Sequence, residues 1–166
     1  MNLVAPLLLC AALFAGTARA ASPQALEAAY RALHVGAPVE FMDVGQPAVA
    51  VPFPGYPCAT VGVLYPQARS LRRGDTQRID HYRACPDGSI EALDELSPSL
   101  PDDEEFRQAT LMTIRAALRR GAHFQRIGAY RVDARRLFGN GQCAEVETVI
   151  STQGLLVSYN VGQICP

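Results

Sequence analysis

Apolar positions recur along this chain at two spacings. Leu26, Ala29, Tyr30 and Leu33 fall at i, i+3, i+4 and i+7, the stripe of an amphipathic helix. Ser22 supplies a capping hydroxyl, and Pro23 suits a first helical position. Gly36 and Pro38 end the pattern, which predicts a helix over residues 23–35. Phe106, Ala109, Thr110, Thr113, Ile114 and Ala117 line a second helical face, and Leu111, Met112 and Leu118 widen it. Asp102, Asp103, Glu104 and Glu105 crowd the start of that helix, and Arg115, Arg119 and Arg120 fill its end, as the helix dipole favours. Asp102 with Glu105 is the expected capping box, and Gly121 is the stop.

The other spacing is two. Residues 58–65 and 78–85 read as strands joined by a polar segment. Ala144, Val146, Thr148 and Ile150 alternate with Glu145, Glu147, Val149 and Ser151. Leu155, Val157, Tyr159 and Val161 alternate with Leu156, Ser158, Asn160 and Gly162, and a polar turn ending in Gly154 joins the two runs into a hairpin. Residues 127–136 form a further strand, with Tyr130, Val132 and Ala134 on one side and Arg131, Asp133 and Arg135 on the other. Residues 137–141 then turn the chain into the hairpin. Residues 39–44 make a short strand and residues 89–93 a return strand after the turn at Pro86, Asp87 and Gly88. Between them, Pro47, Pro52, Pro54 and Pro57 imply an extended edge or polyproline-like segment. The expected fold class is α+β: two helices packed on an antiparallel sheet, with a C-terminal three-stranded meander whose charged face is wet.

An apolar run over residues 7–15 and a small-x-small site at Ala18, Arg19 and Ala20 have the layout of a secretory signal peptide, although the n-region has no basic side chain. Residues 1–20 are the expected signal peptide, cleaved after Ala20, and residues 21–166 a single exported domain. The expected location is periplasmic or secreted, with no membrane span after cleavage. Loss of Cys10 with the leader leaves Cys58, Cys85, Cys143 and Cys165, an even set for an oxidising compartment. Folding each hairpin on itself pairs Cys58 with Cys85 and Cys143 with Cys165.

Charge and motif content narrow the function classes. The 15 basic residues are all arginine, and the net charge is −1, so no broad positive field marks a nucleic-acid binder. The absence of lysine and the leader fit a bacterial envelope protein. There is no Cys-x-x-Cys, Gly-x-Ser-x-Gly or Ser-x-x-Lys, and His34, His81 and His123 lack ligand spacing to one another. No cofactor or metal is expected, and the chain is not expected to be an enzyme. An Arg73-Gly74-Asp75 tripeptide sits in the polar segment and is weighed as chance.

Candidate partner-binding residues are of two kinds. Arg69, Arg72 and Arg73 form a basic cluster suited to an acidic partner. Phe53 and Tyr56, and Leu137 with Phe138, are apolar residues expected in loops. The expected function is protein binding in the cell envelope, as an accessory subunit, inhibitor or immunity protein. The alternatives are a periplasmic carrier, with an apolar ligand beneath the second helix, and a hydrolase built around His81 or His123. The oligomeric state is left open.

Overall fold

The computed structural model describes residues 21–65, 78–93, 98–139 and 143–165. The expected leader lies outside them, as does the polar segment over residues 66–77. Helix α1 (Pro23–Val35) forms between its predicted cap and stop. Ser22 Oγ accepts the Ala25 N–H at 2.9 Å, and Gly36 closes the C-terminus with φ of 68°. Its buried face is alanine: Ala25, Ala28, Ala29 and Ala32. Tyr30, expected in the core stripe, is 53% exposed. A contact face of methyl groups lets the helix sit close to the strands beneath it.

Five antiparallel strands follow, adjacent in space in their chain order: β1 (Val39–Asp43), β2 (Gln46–Phe53), β3 (Ala59–Tyr65), β4 (Arg78–Ala84) and β5 (Ile90–Leu93). Helix α2 (Glu104–Arg120) leads into a second antiparallel meander of β6 (Ala122–Ile127), β7 (Tyr130–Gly139), β8 (Ala144–Thr152) and β9 (Leu155–Ile164). The α+β class holds, but the expected single sheet is two, each with its own helix. The reason lies in strands that are apolar on both sides. In the first sheet, Ala48, Ala50, Val61, Val63, Tyr65 and Tyr82 pack with α1, whereas Val49, Val51, Phe53, Leu64 and Ile79 pack with the second sheet. A strand covered on both faces loses its alternation. The layers therefore run α1, first sheet, second sheet, α2.

Five further expectations are corrected. The first part of the proline-rich segment, with Pro47 and Pro52, is a strand inside the first sheet, and Pro54 and Pro57 lie in the loop after it. β2 pairs with β1 over residues 46–50 and with β3 over residues 49–53, so Pro47 and Pro52 each have one neighbouring strand, where a missing N–H costs no ladder bond on the other side. The C-terminal meander has four strands, because β6 turns into β7 at Gly128, with φ of 59°. Leu137, Phe138 and Gly139 continue β7 rather than turning; the register shifts between Arg136 and Phe138, which makes Leu137 a bulge residue. In α2 the cap is Asp103, one residue beyond the expected Asp102, and its carboxylate accepts the Phe106 N–H at 2.6 Å. Leu111 and Met112 are 45% and 54% exposed, so the buried arc is narrower than expected and runs through Phe106, Thr113, Ala116 and Ala117.

Both disulfides form as paired by the hairpin argument, Cys58–Cys85 and Cys143–Cys165. The register explains them. Ala59 faces Ala84, and Ala144 faces Ile164, so each cysteine pair is the next cross-strand position out. Among the described residues, no helix is long and apolar enough to cross a membrane.

Candidate functional site

The register of the second sheet sorts its inner face, the one turned towards the first sheet, into rows across the strands. Arg126, Arg131 and Ser151 make one row. Phe124, Asp133, Val149 and Tyr159 make the next, and Ala122, Arg135, Glu147 and Val161 the third. Phe138 and Glu145 follow, beyond the bulge, with Gln163. A second register shift, between Ile150 and Ser151, puts Leu156 on this face while Val157 packs against Phe106 on the other, where strict alternation predicts opposite placements.

The first sheet covers only part of this face. Leu156 is fully buried against Val51, Leu64 and Ile79, with Val149 and Tyr159 beside it. Gly62 makes room for it: a Cβ there would collide with the Leu156 side chain. His81, 2% exposed, lies with Nε2 3.0 Å from the Leu156 carbonyl oxygen, so the Nε2 proton donates across the two sheets. This histidine belongs to the sandwich core. His34, in the last turn of α1, is exposed, and His123, in β6 just after α2, is half-buried.

The rest of the face, over β6 and β7, is open. Phe124 is 58% exposed and Phe138 74%. Arg131 spans Phe124 and Asp133: its guanidinium lies 4.6 Å from the ring centroid and donates two hydrogen bonds of 2.7 Å to the carboxylate. Glu147 is 7% exposed and fully partnered, by Arg135 at 3.0 Å and by the Tyr159 hydroxyl, which donates at 3.1 Å. Burial, then the Glu147 charge, raises the Tyr159 phenol well above its ordinary pKa and keeps it a donor. A cleft of about 850 Å³ runs between this face and the end of β2, with Val51 and Phe53 on one wall and Arg131, Asp133, Glu147 and Ser151 on the other. A second depression of about 480 Å³ continues it over Phe124, Asp133 and Arg135.

The expected partner-binding residues fall around this surface unevenly. Phe53 lines the cleft, and Tyr56, wholly exposed, follows in the loop beyond Pro54. Phe138 stands on the open face itself, with Leu137 in the bulge beside it. Arg69, Arg72 and Arg73 lie outside the described residues, as does the Arg73-Gly74-Asp75 tripeptide. The space beneath α2, expected for a carried ligand, is filled by Phe106, Val132, Ile150 and Val157 on one side and Ala117, Ala134 and Val146 on the other. Sequence reading missed Phe124 and Arg126 because β6 was not recognised. The usable signal was the alternation of Ala122, Phe124 and Arg126 with His123, Gln125 and Ile127.

A second polar group sits at the far end of the first sheet. The Tyr65 hydroxyl donates to Asp43 Oδ2 at 2.8 Å, and Arg78 both stacks on the Tyr65 ring and pairs with Asp80. Tyr82 beside them is pushed up to about 12, by burial first and the Asp80 charge second. This end adjoins residues 66–77.

Fold and surface together define a two-sheet sandwich flanked by helices, with one inner face half covered. Among the described residues no group of three His, Cys, Asp or Glu side chains is placed to hold a metal. The chain matches no protein-family model, no curated protein and no solved structure.

Proposed function

We propose that this chain is an exported, non-catalytic binding protein of the bacterial cell envelope, and that its partner is a protein that covers the open half of the second sheet. The observation that carries this reading is the exposure of Phe124 and Phe138, 58% and 74%, on the same inner face whose other half is buried beneath the first sheet. Exposed aromatics grouped on one face, rimmed by charged residues, mark protein contact surfaces. The arginines beside them are of the residue type that anchors such contacts. Their carboxylate partners keep the surface from being a simple positive patch. The leader and the two disulfides support an oxidising compartment.

The test is affinity capture from envelope extract with the wild-type chain and a Phe124→Ser/Phe138→Ser variant. Both side chains are exposed, so the variant keeps its fold. The expected result is a discrete partner retained by the wild type and lost with the variant. Equal recovery by both, or none by either, contradicts the proposal.

A further inference from the structure

Resting on that reading, we infer that the partner presents an extended acidic segment, which adds to the outer edge of β6 as a fifth strand of the second sheet. Among the described residues β6 pairs with β7 alone, so its other edge offers unpaired backbone groups. The side chains beside that edge state what the added strand must carry. Arg126 faces Arg131 directly across the hairpin, a like-charge cross-strand pair that is unfavourable by itself. Arg131 is matched by Asp133 and laid on Phe124, whereas Arg126 enters no ion pair among the described residues. A carboxylate on a strand beyond β6 meets Arg126 and relieves the repulsion.

Strand geometry then fixes the spacing. Side chains of an added strand point to the inner face at every second residue, as Ala122, Phe124 and Arg126 do. The segment therefore has an acidic residue beside Arg126 and an apolar one beside Phe124, two positions apart. Pairing of β6 with the β6 of a second copy does not fit, because β6 holds no acidic residue to bring to Arg126. The edges of the first sheet suit such a segment less: β1 carries Glu40 and Asp43, and β5 is four residues long.

The experiment is an amide NMR titration of the mature, disulfide-bonded protein with two capped heptapeptides. One alternates glutamate and valine at every second position with threonines between; the other has lysine for glutamate. The glutamate peptide should produce saturable shifts centred on β6 and slow the hydrogen exchange of β6 amides, with the lysine peptide at least about tenfold weaker. Arg126→Glu should reverse that preference, and Arg126→Gln should abolish it, with both variants checked by the dispersion of their own spectra. Absence of saturable shifts at β6, equal affinity for the two peptides, or an unchanged preference in Arg126→Glu overturns the inference. If envelope capture is lost with Phe124→Ser/Phe138→Ser yet unchanged with Arg126→Glu, the binding face stands and the acidic strand does not.

Discussion

Gly62 and Leu156 are the two residues on which the sheet packing turns. Leu156 is fully buried, and the missing side chain at Gly62 is the space it occupies. Leu156→Ala should cost about 2–5 kcal/mol, measured by urea unfolding. Gly62→Ala should cost about 1–3 kcal/mol from overpacking. The double variant should cost less than the two together, since removing the leucine relieves the collision. Additive losses would show that the two residues do not meet.

Three phenols, two buried and one half-buried, set the alkaline limit. Tyr82 is raised to about 12, and Tyr65 and Tyr159 are raised as well, all by burial first. A raised folded pKa favours the neutral phenol. The stabilisation is thus complete below the free phenol value of about 10 and is lost as pH climbs towards about 12. Near-ultraviolet absorbance and circular dichroism followed together should show these tyrosines ionising only as the fold is lost. Ionisation of all six tyrosines near the ordinary value in a folded protein would contradict this.

At the scale of elements, the sequence was most legible where local chemistry decides the outcome. The first helix carries its own cap, proline and glycine, and it forms over the residues they predict. The cysteine pairing followed from hairpin symmetry, because register is a local property once the turn is placed. What was not legible depended on neighbours distant in the chain. The prolines of β2 look like ladder breakers until the stagger of β1 and β3 is known. β6 hides because its two faces alternate without a clean apolar side. The open face itself needed two sheets to be recognised before one could be seen as half covered.

Ala29 is fully buried between α1 and the first sheet, so Ala29→Leu should destabilise by about 1–3 kcal/mol and lower Tm; an unchanged Tm would mean the helix does not sit tightly there. Replacing Cys143 and Cys165 together by alanine opens a bridge of sequence separation 22 and should cost about 3 kcal/mol in denaturant unfolding. No loss would place the hairpin ends together without the bond.

For the whole molecule, one surface is unfinished. Four layers stack so that each helix covers the outer side of its own sheet, and the two sheets share an inner core around Leu156. Beyond that core the second sheet extends past the first, and its aromatic and arginine side chains stand open. The proposed export, the disulfides and the open sheet face make one account: a small scaffold that holds a rigid surface ready for the proposed partner, with little ordering left to pay for on binding.

The most direct test is site-specific photocrosslinking in intact envelopes, with the crosslinking side chain at position 138 or, as a control, at position 44, where Val44 is 84% exposed at the β1–β2 turn. One discrete protein adduct is expected from position 138 and none from position 44. Adducts from position 44 alone, or from neither position, would contradict the assignment of the open face as the binding surface.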